Sequence, residues 1–304
     1  MVSELSILIP IYNFAVDQLV NVLLAQCYEE AICFEIICLD DASESHFQEK
    51  NRFLKSLENV IYEELPTNIS RAAIRNKLAQ HAQFSHLLFL DNDSEIISQD
   101  FIRQYLQAGH PDKILIGGTL YPNELPSHPY RLHWKFGRSR EQIPADFRNQ
   151  HPYRSVQVNN ALVPRAIFLN YPFNEKIIEY GHEDSQWGKR LEKAKVPVVH
   201  IANPVGHIGL EPCEIFLIKT RSAIHNLHRL YYSEGIGKDS SLIKWYLRLS
   251  HYKVKKVYFT FYRILKSILL FNLRSSRPSL FCFDLYKLGL FIQIDYLPKK
   301  DHPI

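Results

Sequence analysis

Two aspartates two positions apart, Asp91 and Asp93 in "FLDNDSE", follow an apolar run that reads as a buried strand. Carboxylates that close repel each other unless a cation neutralises them. A hard divalent ion, Mg2+ or Mn2+, suits such a pair and bridges it to substrate phosphates. Read alone, the stretch is more often a solvated turn, since Asp, Asn and Ser are turn formers. A second pair, Asp40 and Asp41 in "CLDDASES", either caps the next helix or offers a carboxylate to a base N–H at a sheet edge. Arg71 and Arg75 stand four apart on one helix and therefore on one face. Turned toward the acids they favour a diphosphate or the base; turned outward they are a solvated basic face. In "GHEDSQWGKRLEKA", a helix starting near His182 sets Asp184, Trp187, Leu191 and Ala194 on one stripe, the last three buried. Asp184 then heads that stripe, where desolvation raises its pKa and the helix dipole lowers it. Such a carboxylate suits general-base work, or simply satisfies free helix amides. His207, in "NPVGHIGLE", lies in a Gly-flanked loop and can complete a metal site through a neutral ring nitrogen. With 14 histidines in the chain, a given one is usually structural, and His200 inside a strand fits that reading better.

The elements that would hold these groups alternate. "LSILIPIYN", "FEIICLDD", "NVIYEEL" and "HLLFLDND" read as strands, with helices from about Ala15 to Glu30, from Glu44 to Leu57 and over "NISRAAIRNKLAQHAQ", where Asn68 or Ser70 can cap. Strict alternation predicts a mostly parallel sheet with helices on both faces, and ligands beyond the carboxyl ends of its strands. Tyr12 and Asn13, Asp40 and Asp41, and Asp91 and Asp93 gather at those ends. Residues 109–157 are less regular. "VQVNNALVP", a helix near Gly181 and "VPVVHI" follow, and from Leu210 the pattern is helical.

The 304 residues are 46% hydrophobic and 22% charged, which excludes wholesale disorder. Five cysteines without a CxxC pair exclude a disulfide framework and a zinc knuckle, and fit a reducing compartment. No Gly-rich turn follows the first strand, which argues against a dinucleotide-binding dehydrogenase, and no GxxxxGK[ST] loop is present. The start shows no basic, apolar leader, and no 18-residue apolar window reads as a membrane span. A net charge of +4 hides an acidic body and a basic tail, the latter with twelve Lys and Arg against three acids from Ser241 onward.

"SILIPIYN", "CLDDASES", "SRAAIRN", "FLDND", "NNALVPRAIF" and "YGHEDSQWGKRL" occur in an order and spacing that resembles the family 2 inverting glycosyltransferases of GT-A fold. The likeness covers about the first 210 residues. Val156 to Glu211 also resembles a bacterial branch with a galactosyltransferase-like segment, which inclines the reading toward galactosyl or N-acetylgalactosaminyl transfer. The resemblance implies an α/β fold: a mostly parallel sheet flanked by helices over 1–210, with a helical basic extension over 211–304. It implies that Pro10 and Tyr12 line a base pocket and that Asp40 reads the base. Arg71 and Arg75 would lie near base and diphosphate, and Asp91 at the ribose or a metal-bound water. Asn160 would stand beside the donor sugar. Asp184 would be the base that deprotonates the acceptor hydroxyl, with Glu183 an acceptor contact, and Asp93 and His207 would be metal ligands. The chain departs from the family pattern at Ala42, often Gly, and at Ser94, often an acid.

The implied activity is metal-dependent, inverting transfer from a nucleotide-sugar, most simply a UDP-sugar, to a glycan or lipid-linked saccharide, as in bacterial surface polysaccharide synthesis. The competing readings are a nucleotidyltransferase that makes a nucleotide-sugar, and a catalytically silent membrane-surface protein on the same fold. Residues 109–157 are a candidate lid or acceptor platform. The tail interleaves Lys253, Lys255, Lys256, Arg263 and Lys266 with aromatic and aliphatic residues. It either lies on an anionic membrane surface or packs its apolar face on the catalytic domain. Nucleic acid is not an expected partner, since no binding motif accompanies the basic residues. The expected location is cytoplasmic, with peripheral attachment to the inner membrane face through the tail.

Overall fold

A computed structural model of the chain describes residues 2–177 and 181–296. The strands are β1 (Glu4–Ile11), β2 (Cys33–Asp40), β3 (Val60–Glu64), β4 (His86–Leu90), β5 (Ser94–Glu95), β6 (Ile114–Ile116), β7 (Thr119–Leu120), β8 (Asn160–Pro164), β9 (Val198–His200) and β10 (Val205–His207). The helices are α1 (Asp17–Glu29), α2 (Ser45–Asn51), α3 (Arg71–His81), α4 (Phe101–Ala108), α5 (Arg131–Phe136), α6 (Ala145–Asn149), α7 (Arg165–Asn170), α8 (Glu183–Ala194), α9 (Cys213–Glu234), α10 (Ser241–His251), α11 (Lys255–Leu273) and α12 (Leu280–Ile294). The described residues sort into two compact units, one of 2–122, 140–177 and 183–209, the other of 123–139, 181–182 and 210–296.

In the first unit the main sheet runs β3-β2-β1-β4-β8-β6-β9. Its pairs are parallel except around β8, which is antiparallel to β4 and β6. Side chains alternate across each strand, so each face has its own core. Ile7, Ile9 and Ile11 join Val20, Leu23 and Cys27 of α1 on one face. Leu8, Ile37 and Leu39 join Ala72 and Leu78 of α3 and Trp187 and Leu191 of α8 on the other. Burial on both faces is why these strands read as nearly unbroken apolar runs.

Register then fixes the site edge. Ile11 pairs with Asp40 and Leu8 with Phe89, so the carboxyl ends of β1, β2 and β4 share one rim. Because β8 runs the other way, its first residue, Asn160, lies against Leu90 at that same rim. A small second sheet, β5-β10-β7, sets His207 opposite Ser94. Ser94, the position often acidic in the resembling family, is thus a buried ladder residue.

The second unit is helical. Residues 123–139 lie inside the expected first domain by sequence, yet they sort with the later helices. The imidazole of His133 in α5 stacks on Phe216 of α9, ring centroids 4.6 Å apart. The Lys135 Nζ donates to the Pro278 carbonyl at 2.8 Å. Helices α9, α10, α11 and α12 meet at Asp295. Its carboxylate accepts from Tyr246 at 2.8 Å and pairs with His228 and Lys255, each at 3.0 Å. Burial opposes this charge, but His228, Lys255 and Tyr246 outweigh it and hold the Asp295 carboxyl at about 2. No helix among the described residues is long and apolar enough to cross a membrane.

Candidate active site

The turn after β4 carries the first acid pair. The Ser94 N–H donates to the Asp91 carbonyl at 3.1 Å and closes the turn. Both Asp91 oxygens meet arginines of α3: Arg71 Nη2 lies 3.1 Å from Oδ2 and Arg75 Nη2 lies 2.6 Å from Oδ1. Burial would raise the Asp91 pKa, but the two guanidiniums hold it below the usual aspartate range. The same arginines reach the head of α8, with Arg71 Nε 3.2 Å and Arg75 Nη1 3.8 Å from Glu183 Oε1. Arg75 is 1% exposed and lies over the Phe173 ring, whereas Arg71 keeps 41% of its side chain in solvent.

Asp184 follows Glu183 at the start of α8. One oxygen accepts from the Val158 N–H at 3.4 Å and the other, Oδ1, is buried with no hydrogen-bond partner. Burial pushes its carboxyl up to about 6; Arg75 and Arg71 pull it down, and Glu183 and Asp91 push it up. The cluster holds two cations, Arg71 and Arg75, against three carboxylates, Asp91, Glu183 and Asp184. Asp184 is the one without a guanidinium in contact.

Asp93 points the other way along the rim. Its Oδ2 lies 3.4 Å from His207 Nδ1, and the Tyr121 ring stands edge-on to the imidazole at 5.0 Å. Burial disfavours the His207 cation, yet the Asp93 carboxylate and Glu141 raise its pKa on balance. A Cβ at Gly209 would fall on the Asp93 carboxylate, so this close approach requires glycine. The Asp91 charge acts on both His207 and Asp184, which sets the two ends of the rim in one electrostatic neighbourhood.

Several expected donor contacts are turned inward. Asp40 is fully buried and accepts from the Ser43 N–H at 2.7 Å, from Gln48 at 3.4 Å and from Tyr62 at 3.3 Å. These bonds tie Asp40 to the loop before α2 and to β3. Asp41 accepts from the Ile69 N–H at 2.7 Å, and Ser70 occupies the cap position of α3 without a side-chain cap bond. Asn160 is fully buried as well. Its Oδ1 accepts from Tyr105 at 2.6 Å and its amide donates to the carbonyls of Gly118 and Asn203, so it braces the rim from beneath. Glu183, the expected acceptor contact, is buried beside the two arginines. Tyr12 is 55% exposed and Pro10 is half-buried, both at the end of β1.

Two supports escape sequence reasoning. Arg148 of α6 is buried, donates to the carbonyls of Gly117 and Ile201 at 3.0 and 3.1 Å, and meets His200 Nδ1 at 2.7 Å. Burial holds the His200 imidazole down at about 4, so this ring is a neutral structural partner. Tyr121 bonds Glu141 beside His207. Both supports sit in or beside the irregular stretch 109–157, where no periodicity marks them.

Residues 6–168 match the family described as Glycosyl transferase family 2. A poly(ribitol-phosphate) beta-glucosyltransferase of Bacillus spizizenii is 34% identical over 110 residues, a stretch that spans 34% of this chain and only 17% of that curated relative's length. Among solved structures, TarS residues 1–349 from S. aureus superimpose with a TM-score of 0.50 at 15% identity, covering 96% of this chain and 91% of that one. Glucosyl-3-phosphoglycerate synthase from Mycobacterium tuberculosis, solved with Mn2+, UDP and glucosyl-3-phosphoglycerate, gives 0.51 at 15% identity over 76% of this chain and 80% of that one. The mannosyltransferase PcManGT from Pyrobaculum calidifontis, solved with GDP-Man and Mn2+, gives 0.51 at 12% identity over 75% and 64%. These likenesses carry the GT-A architecture: a mostly parallel sheet flanked by helices. The family match runs unbroken from β1 through the acid turn to α7, over more than half of the residues, and this chain therefore belongs to glycosyl transferase family 2.

Proposed function

We propose that the chain moves a glycosyl group from a nucleoside-diphosphate sugar, most simply a UDP-sugar, to a hydroxyl of a saccharide or polyol-phosphate acceptor, with inversion at the anomeric carbon. The observation that carries this reading is Asp184, a carboxylate at a helix head with one unpartnered oxygen and a pKa near 6. A base of that strength is ionised at neutral pH and still accepts a proton from an attacking hydroxyl. A single displacement needs no second nucleophile, and of the three carboxylates clustered with Arg71 and Arg75, Asp184 is the one that neither guanidinium contacts. Arg71, half in solvent, can also turn its guanidinium toward a diphosphate, while Arg75 holds Asp91 and Glu183 in place. UDP in one structural relative and a ribitol-phosphate polymer in the name of the curated relative support the donor and acceptor classes.

Asp93 and His207 offer one carboxylate and one imidazole, each partly exposed, and among the described residues no three acidic, histidine or cysteine side chains enclose an ion. Such a two-ligand edge fits Mg2+ or Mn2+ that takes its other ligands from water and substrate phosphates. Mn2+ in two structural relatives supports the same reading. A divalent ion held there supplies positive charge against the departing diphosphate. Titration calorimetry with UDP, GDP and dTDP, with and without Mn2+, tests the proposal. Mn2+-dependent binding of one nucleotide and none of NAD is expected; failure of all three with Mn2+ present overturns it.

A further inference from the structure

Helix α11 in the second unit packs one face inward through Tyr262, Leu269 and Leu273. The adjoining side, about a third of the way round the helix, carries Val257, Phe261, Ile264, Leu265, Ile268 and Phe271, all exposed, with Ile268 at 63% and Phe271 at 77%. At about 100° per residue these six fall within an arc of roughly 120°. Lys256 and Arg263 line one flank of that arc, both exposed and neither in an ion pair among the described residues. The nineteen residues of α11 include no Asp or Glu. A monomer rarely leaves so long an apolar stripe in water.

We infer that α11 lies in the interface of an anionic lipid bilayer, with this stripe among the acyl chains and its basic flank at the headgroups. An apolar arc bordered by cations is what an interfacial helix presents to acidic lipid. The charge of the tail sequence agrees, with twelve Lys and Arg against three acids from Ser241 onward. A second copy is a poorer occupant, because a two-fold contact along α11 offers its cations no carboxylate from the partner helix. With four Lys and Arg in its nineteen residues the helix is too charged to cross the bilayer, so it lies along the surface. This inference is independent of the catalytic reading, since no rim residue takes part.

The test is co-sedimentation of the full chain with phosphatidylcholine vesicles that contain none or about 30% phosphatidylglycerol. Partition onto the acidic vesicles is expected to be at least about tenfold stronger, and to weaken as salt rises from about 0.05 M to about 0.5 M. Neutralising one flank cation, as in Arg263→Gln, should weaken it about fivefold. The double variant Ile268→Asp with Phe271→Asp should abolish it, with an unchanged melting temperature because both side chains are exposed. No partition onto acidic vesicles at low salt overturns the inference. So does binding that survives the double variant, which marks adsorption by charge alone. A dimer in light scattering that the double variant disperses would assign the stripe to a second copy and overturn it as well.

Discussion

Replacing Asp184 with Asn keeps the side-chain shape and removes the third carboxylate from the cluster with Arg71 and Arg75. Raising an aspartate from 3.8 to about 6 means that ionisation in the folded state costs about 3 kcal/mol. Because the folded pKa lies above the unfolded one, that penalty is absent below about pH 4, grows between pH 4 and 6, and is complete above pH 6. The amide has its own cost of about 1–2 kcal/mol, since the buried Oδ1 position has no partner to offer. The variant should therefore gain about 1–2 kcal/mol over the parent at pH 7.5 and gain nothing, or lose slightly, at pH 4.5. Turnover should fall about 10²–10⁴-fold, the usual worth of a positioned base. In the parent, kcat/KM should rise through about pH 6 to a plateau. Urea denaturation at the two pH values, beside initial rates of nucleotide release, measures both effects. Equal destabilisation at both pH values, activity within tenfold of the parent, or a flat pH profile would refute the assignment.

Arg75→Met should cost about 3–5 kcal/mol in urea denaturation, because Asp91 and Glu183 would keep their buried charge without this cation. Arg75→Lys should recover only part of that loss, since one ammonium cannot serve both carboxylates as the planar fork does. Gly209→Ala should weaken Mn2+-dependent nucleotide binding about tenfold or more by calorimetry, as the added methyl displaces Asp93 from His207. Ala42→Gly should stabilise the chain by roughly 0.5–1 kcal/mol in thermal melts, because Ala42 sits at φ 58, a region where only glycine is free of strain.

The sheet was legible because period and punctuation agree along the first hundred residues. Each apolar run ends in a polar tip, and each tip lands on the rim. At Ala42, where the resembling family often has Gly, the sequence showed the departure and the backbone shows its setting: the alanine adopts a left-handed conformation. What escaped was the direction in which the tip residues point. Asp40 and Asn160 carry the right types at the right places, but buried amides, hydroxyls and carbonyls claim their polar atoms first. A sequence shows which groups reach an edge and not which partner wins them. The reach of Arg75 to Glu183 is likewise a contact across about a hundred residues that no local pattern encodes. The sorting of 123–139 with the later helices depends on such remote partners as well, through His133 and Phe216.

The meeting of α9, α10 and α11 on Asp295 has a consequence for how the second unit comes into being. The side chains of His228, Tyr246 and Lys255 emerge from the ribosome well before the carboxylate that gathers them. Until that late residue is available, three helices hold a histidine, a phenol and an ammonium with no common anion. The unit is thus latched from its far end, and trimming the chain back through Asp295 should leave those helices open to proteases even though every earlier apolar contact is intact.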